Sequence, residues 1–319
     1  MTIWRLAVAL GVVTGCAQGS PEADPAAGAA APAAVFTEAN WRTPTEADIP
    51  DTPMGASIRR GLYLLRHTPD SLPEYAKANL RCVSCHLNDG TRPEASPLSG
   101  AHARYPRYLG RTGAVVDLAE RVNYCITRSL AGNALPTRSR EMMDILAYLW
   151  FLSRDLPTGV SLSTSAGLTP LVDTIPGDSA RGKEIYVVQQ CQLCHGEDGA
   201  GAIPPAPALW GPKSYSIGAS MAREERAAAF IKHNMPLQAP GSLTDEEAWH
   251  LARYINSHPR PDSPGKERDF PGGGADRFTP YDTEGHTAYR PPHRLLPRAN
   301  VAASAEVPAP VAAARTTRK

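Results

Sequence analysis

Two copies of one short cysteine motif constrain this chain more than any other feature of its sequence. Residues 82–86 read CVSCH and residues 191–195 read CQLCH, and both match C-x-x-C-H, the attachment signature of c-type haem. Two thiols three positions apart can form thioethers to both vinyl groups of one haem. The histidine that follows is then held beside the iron as its proximal ligand. The sequence therefore predicts two covalently bound haem c groups.

Two other uses of paired cysteines are the alternatives. Zinc ribbons also contain two C-x-x-C pairs, but those pairs lie roughly 15–20 residues apart. Here about a hundred residues separate the motifs, and each motif has its own histidine. A disulfide or redox pair is the other alternative for each motif. On the haem interpretation the thioether cysteines are Cys82, Cys85, Cys191 and Cys194, and the proximal ligands are His86 and His195.

Each motif lies in a similar order of expected helices, which indicates an internal repeat. A helical pattern precedes each motif, around Arg60-Gly61 in the first half and Arg181-Gly182 in the second. Each half ends in an amphipathic stretch, 142–149 and 248–255, with apolar residues at i, i+3, i+4 and i+7. We therefore predict an all-α fold of two class I cytochrome c-like domains. In such small domains the haem supplies much of the apolar core.

The N-terminal residues indicate export. The apolar run after Arg5 is too short to span a bilayer and is typical of a secretory signal. A small residue before Cys16 resembles a bacterial lipobox, in which that cysteine becomes lipidated; an ordinary signal cleaved nearby is the alternative. Haem c is attached outside the bacterial cytoplasm, which agrees with export. We predict a periplasmic protein tethered to the membrane by a lipid anchor.

Composition along the chain indicates six parts. They are a signal peptide at 1–15, a lipidated Ala/Pro-rich tether at 16–40, a first cytochrome c domain at 41–155, a linker at 156–176, a second cytochrome c domain at 177–258 and a Pro/Gly-rich tail at 259–319. We expect residues 259–285 to lie against the body and the remainder to be disordered. The 33 basic side chains balance 32 acidic ones, which gives no support for nucleic acid as a partner.

The second axial ligand of each iron should come from further along its half. In the second half the candidate is Met235, followed by a proline, with Met221 and His233 as alternatives. In the first half the matching position contains no methionine, and Cys125 stands there instead. A buried free cysteine is the alternative interpretation of Cys125. Met142, in the packing helix, fits its apolar stripe better than a ligand role.

The residues around Cys125 predict a cationic face. We expect a helix that begins near Thr112 and ends at Gly132, on which Arg121, Cys125 and Arg128 share one side. Cations near a thiol lower its pKa toward the thiolate form. Arginines also bind oxyanions through two parallel hydrogen bonds. These two features together favour an anionic ligand or substrate at this face.

Arg111 belongs to the same group of arginines in sequence. The alternative for all three arginines is that they pair with haem propionates, or with Asp117 and Glu120. A thiolate ligand favours ferric iron, whereas methionine raises the reduction potential. The first haem should therefore have the lower potential and the second the higher one. This gradient suits substrate oxidation at the first haem and electron export at the second.

Over roughly residues 41–285 the chain resembles the dihaem thiosulfate dehydrogenases, which form tetrathionate. The resemblance depends on the two C-x-x-C-H motifs, on RVNYC at 121–125, on LWGPKS at 209–214 and on FIKHNMP at 230–236. It implies that two thiosulfate ions are coupled to tetrathionate, in a reaction that can also run in reverse. A periplasmic acceptor such as a cytochrome c would take the electrons.

The resemblance also implies roles for particular residues. His86 and Cys125 would ligate the catalytic haem of the first domain, and His195 and Met235 the electron-transfer haem of the second. Thiosulfate would be held by Arg111 and Arg121, with Arg128 and Ser129 as further candidates.

Some relatives carry an exchangeable lysine beside the methionine ligand. Asn234 stands there in this chain, so we expect no such ligand exchange, with Lys232 as the remaining alternative. Two alternative functions are a non-catalytic dihaem electron carrier and the haem subunit of a sulfur-oxidation complex.

Overall fold

The computed structural model describes residues 36–165, 167–203 and 206–287. The predicted signal peptide, Cys16, most of the tether and the tail beyond residue 287 lie outside these residues. The described part from Thr37 onward forms one unit. No helix in the described ranges is long and apolar enough to cross a membrane.

The described residues are mainly helical, as the sequence predicts. The α-helices are α1 (Pro53–Arg66), α2 (Thr68–Ser71), α3 (Leu87–Gly90), α4 (Leu118–Arg128), α5 (Arg140–Phe151), α6 (Ser179–Val188), α7 (Gln192–His195), α8 (Glu224–Asn234) and α9 (Asp245–Asn256). Two short strands, β1 (Arg107–Leu109) and β2 (Ala114–Val116), pair antiparallel. Short 3-10 turns connect several of these elements.

The repeat predicted from the sequence is visible as two helix pairs, α1 with α5 and α6 with α9. The glycines of the repeated Arg-Gly sequences lie where the paired helices meet. A Cβ at Gly61 would lie 2.0 Å from the carbonyl oxygen of Asp144, and a Cβ at Gly182 would lie 2.1 Å from that of His250. Each helix pair therefore packs backbone to backbone, which only glycine permits at these positions.

The core of the first half extends into the second half. Ile58, Leu65 and Met142 are buried in it, and so are Tyr215 and Ala222, which precede α8. A second core contains the apolar stripe of α9. The capping box at the start of α9 is confirmed, because Thr244 and Glu247 exchange backbone and side-chain hydrogen bonds.

The expected helix over Thr112–Gly132 is wrong at its start. Residues 107–116 form the hairpin of β1 and β2, and the β-branched Val115 and Val116 favour the strand conformation. The helix α4 begins only at Leu118, where Asp117 supplies the N-cap. A pattern of apolar spacing could not separate the short strand from the helix that follows it.

Residues 259–287, which we name the C-terminal segment, pack against both halves. Arg260 is fully buried, and its guanidinium carbon lies 4.3 Å from the centre of the Tyr215 ring. Phe278 packs against Trp249 of α9, with ring centres 5.6 Å apart. The segment is thus part of the folded body and reaches the first half, where it meets residues near Cys125.

Alanine at either helix crossing should destabilise the protein. Gly61→Ala and Gly182→Ala each force a methyl group against a backbone carbonyl, and we expect a loss of about 1–3 kcal/mol in the free energy of unfolding. Chemical denaturation of the holoprotein measures this loss. Gly272→Ala is the control, because nothing lies within 4 Å of its Cβ position. Equal midpoints for the three variants would contradict close packing at the crossings.

Candidate active site

The capped start of α4 determines where Cys125 lies. Asp117 accepts a hydrogen bond from the Glu120 backbone, 2.8 Å, and Glu120 accepts one from the Asp117 backbone, also 2.8 Å. These two acids are therefore engaged in the cap, and they do not pair with the arginines of the helix. Cys125 follows two turns later, partly buried on the side of the helix that faces His86.

Arg121 lies directly beside the Cys125 sulfur. Its Nη1 is 2.8 Å from the Cys125 Sγ, one helical turn away. Burial raises the pKa of Cys125, but the charge of Arg121 and the imidazole of His86 outweigh it and lower the pKa to about 6. The sulfur is therefore a thiolate at neutral pH, the form that binds metals and attacks electrophiles.

A backbone carbonyl orients the ring of His86. Its Nδ1 donates to the carbonyl oxygen of Ser96, so Nε2 carries the lone pair and is the atom left for a ligand. The His86 imidazole also lies near the Cys125 sulfur and helps to lower the pKa of that thiol. A histidine and a thiolate thus line one site, and both residue types could hold an iron there.

The two thiols of the first motif differ in chemistry from Cys125. Burial, together with the charge of Cys125, raises the pKa of Cys82 to about 11 and that of Cys85 to about 12. The neutral thiols suit thioether formation, whereas the anionic one suits iron. This donor set fits a covalently bound haem c between His86 and Cys125.

Arg111 and Arg128 bind a partner that was not expected. Both donate to the carboxylate of Asp269 in the C-terminal segment: Arg111 through Nε, 2.9 Å, and Arg128 through both terminal nitrogens, one of them at 2.9 Å. Tyr281 donates to the same carboxylate, 2.7 Å. The acid that pairs with these arginines is Asp269, in place of Asp117 or Glu120.

The Tyr124 ring lies at the centre of the arginine cluster, by which we mean Arg111, Arg121 and Arg128. Their guanidinium carbons lie 5.4, 5.3 and 4.6 Å from its centre, within the range of cation–π attraction. Because all three contact one ring, the three charges are held within a small volume beside Cys125. Only Arg121 of the three contacts the sulfur.

Ser129 is the C-cap of α4, and its backbone N–H donates to the carbonyl of Cys125, 2.7 Å. The structure thus places Ser129 one turn beyond Cys125 without assigning a contact to its hydroxyl. Arg104, which the sequence did not single out, lies near Arg121. Burial lowers the pKa of Arg104, and the charge of Arg121 lowers it further.

The second motif repeats the orientation of the histidine. His195 Nδ1 donates to the carbonyl of Pro207, 3.0 Å, and burial lowers the pKa of His195, so the ring is neutral with Nε2 left for iron. Met235 caps α8 and packs on the same core as Cys191. These residues fit a second haem c, and the Met235 ligand stays a prediction.

The other candidate ligands of the second half have partners elsewhere. His233 Nε2 donates to the carbonyl of Thr169, 3.1 Å, and Lys232 Nζ donates to that of Leu243, 2.6 Å. Met221 lies in the turn before α8 and contacts the apolar cores of both halves. Asn234 is fully buried.

Sequence reasoning missed Asp269 and Tyr281. They follow Arg111 by 158 and 170 residues. They belong to a Pro/Gly-rich stretch without periodicity, so no local pattern connects them with α4. A buried acid is costly unless it is paired, and only the tertiary structure shows that Asp269 is buried.

Removing the second pair of thiols should halve the covalent haem. The double variant Cys191→Ala, Cys194→Ala should carry one haem per chain, measured by the pyridine haemochrome spectrum of denatured protein. Cys125→Ala is the matched control and should keep two, because Cys125 forms no thioether. Loss of covalent haem from that control would contradict the assignment of the three sulfurs.

Comparisons with known proteins place this arrangement in a family. The model described as "SoxA/TsdA, cytochrome c domain" matches residues 74–158, and that described as "Cytochrome C oxidase, cbb3-type, subunit III" matches residues 177–255. The predicted pair of cytochrome c domains is therefore confirmed.

Two curated relatives are named thiosulfate dehydrogenase. That of Psychrobacter arcticus is 39% identical over 239 residues, covering 73% of this chain and 72% of the relative. That of Allochromatium vinosum is 39% identical over 227 residues, covering 68% of this chain and 83% of the relative.

A solved structure, the as-isolated thiosulfate dehydrogenase (TsdBA) from Marichromatium purpuratum, is 32% identical with a TM-score of 0.69. The match covers 76% of this chain and 55% of that chain, so this protein spans about half the length of that relative. The chain belongs to the thiosulfate dehydrogenase family of cytochromes c and carries two haem c groups.

Proposed function

We propose that this protein oxidises two thiosulfate ions to one tetrathionate ion at a haem ligated by His86 and Cys125. His195 and Met235 would hold a second haem, which would supply the route for the electrons. The observation that carries the proposal is the contact between Arg121 and the Cys125 sulfur, opposite His86. A cation beside this sulfur stabilises the thiolate and can also attract an anionic sulfur substrate, which an electron carrier does not bind.

The reaction joins two dianions, and the cations of the site reduce its electrostatic cost. Two doubly charged ions about 5 Å apart repel by about 3 kcal/mol even at the dielectric constant of water, and by more in a drier site. Arg121 can bind the sulfonate end of one thiosulfate and direct its outer sulfur toward Cys125. Arg111 and Arg128 keep further positive charge beside the same ring.

The proposed reaction balances in sulfur and in electrons. Each thiosulfate gives up one electron from its outer sulfur, one S–S bond forms between the two outer sulfurs, and no proton is exchanged. Two haem c groups, when bound, accept the two electrons, one each. Thiosulfate oxidation and its reverse would use the same site. Tetrathionate reduction is therefore the reverse reaction available to this protein.

The proposed cell location agrees with this chemistry. We infer export to the periplasm, a lipid anchor on Cys16, and a soluble acceptor such as a cytochrome c. Labelling with a radioactive fatty acid tests the anchor, since Cys16→Ser should abolish incorporation of the label.

Cys125→Met should raise the potential of the first haem and abolish turnover, because a neutral thioether replaces an anionic thiolate. A spectroelectrochemical titration measures the potential, and thiosulfate-dependent reduction of an artificial acceptor measures turnover. Met143→Leu, at a half-exposed position of α5, is the control and should change neither.

Two outcomes would contradict the proposal. Turnover of the Cys125→Met variant at the wild-type rate would exclude the role of the thiolate. A wild-type protein that thiosulfate does not reduce, although dithionite reduces both haems, would be an electron carrier.

A further inference from the structure

The carboxylate of Asp269 is buried among cations of the catalytic half. The residue is 3% exposed, and it accepts hydrogen bonds from Arg111, Arg128 and Tyr281. Arg111 is held at further points, because its Nη2 donates to the carbonyl of Gly218, 2.7 Å, and to the Tyr281 hydroxyl. The β1–β2 turn, the end of α4 and the C-terminal segment therefore meet at one carboxylate, and Arg111 also contacts the second half at Gly218.

The segment that carries Asp269 is also bound to the turn between β1 and β2, which contains Arg111. The Phe270 backbone N–H donates to the carbonyl of Arg111, 2.8 Å, and the guanidinium carbon of Arg111 lies 5.8 Å from the centre of the Phe270 ring. Tyr281 is 5% exposed and closes the other side. Backbone and side-chain contacts thus place the carboxylate at one position relative to Arg111.

Not all donors of the two arginines are used by these contacts. Arg111 Nη1 and Arg128 Nε make no hydrogen bond to the described residues, although the other donors of both groups bind Asp269, Gly218 or Tyr281. A guanidinium held on one edge keeps its free edge in a fixed direction. Fixed donors bind an oxyanion at a lower cost in side-chain entropy than mobile ones.

From these contacts we propose that Asp269 is a positioning residue of the thiosulfate site. Its carboxylate holds Arg111 and Arg128 against Tyr124, beside Cys125, so that their remaining donors face the substrate anion. The site is complete only when the C-terminal segment lies on the first half. This inference rests on the proposed function for the identity of the anion.

The opposite role is also chemically possible for a carboxylate at this place. Asp269 could compete with thiosulfate for the two guanidinium groups, and its removal would then strengthen substrate binding. The burial of the carboxylate and its hydrogen bonds from three side chains favour positioning over competition. The Michaelis constant of a variant distinguishes the two roles by its direction of change.

The test is the holoprotein with Asp269→Ala, which removes a carboxylate and leaves a space for formate. We expect the KM for thiosulfate to rise about ten- to hundredfold, the effect of losing hydrogen bonds to a charged group, with kcat little changed. Added sodium formate should restore the KM, because it can bridge the two guanidinium groups again. Sodium chloride at the same ionic strength should not.

Asp262→Ala is the matched control from the same segment. Asp262 pairs with Lys266 at 2.6 Å in a partly exposed ion pair that involves none of the three arginines. This variant should keep the wild-type KM and should not respond to formate. Asp269→Asn should raise the KM without rescue, because its amide fills the space that formate needs.

A second measurement does not depend on thiosulfate. Formate should raise the Tm of the Asp269→Ala holoprotein saturably and leave that of the Asp262→Ala holoprotein unchanged. If this rescue occurs but wild-type protein has no thiosulfate activity, the carboxylate bridge is supported and the proposed function fails.

Three results would overturn the positioning role: an Asp269→Ala variant with a wild-type KM, one with a lower KM, or a raised KM that formate does not reverse. A drop in Tm alone, with an unchanged KM, would show a purely structural ion pair.

Discussion

The site in the first half depends on one charged contact, that of the Arg121 guanidinium with the Cys125 sulfur. Burial alone would keep the thiol protonated, as it does for Cys82 and Cys85 a short distance away. The neighbouring cation and His86 reverse that preference for Cys125 alone. Three thiols in one buried region therefore separate into two that are suited to thioethers and one that is suited to iron.

The histidines of the two motifs, His86 and His195, are also held by fixed partners. Each donates Nδ1 to a backbone carbonyl, of Ser96 in one half and of Pro207 in the other. A backbone carbonyl can only accept, so each hydrogen bond leaves Nε2 as the ring nitrogen that is available to a ligand. Both halves contain this histidine hydrogen bond and the helix crossing at a glycine. They differ in the proposed second ligand, which is Cys125 in the first half and Met235 in the second.

The features that the sequence predicted are those whose partners are close along the chain. The C-x-x-C-H motifs, the amphipathic helices and the pairing of Arg121 with Cys125 all depend on spacings of three or four residues. The hairpin before α4 was missed, because its short strands contain too few residues to show alternation. Asp269 was missed because its partners lie 141 and 158 residues away, where periodicity gives no information.

The reach of the C-terminal segment has a consequence for the order in which the protein matures. Chains are synthesised from the N-terminus, so Arg111 and Arg128 are made 158 and 141 residues before Asp269, which carries their counter-charge. The first half therefore acquires these contacts only after residues far along the chain have been made.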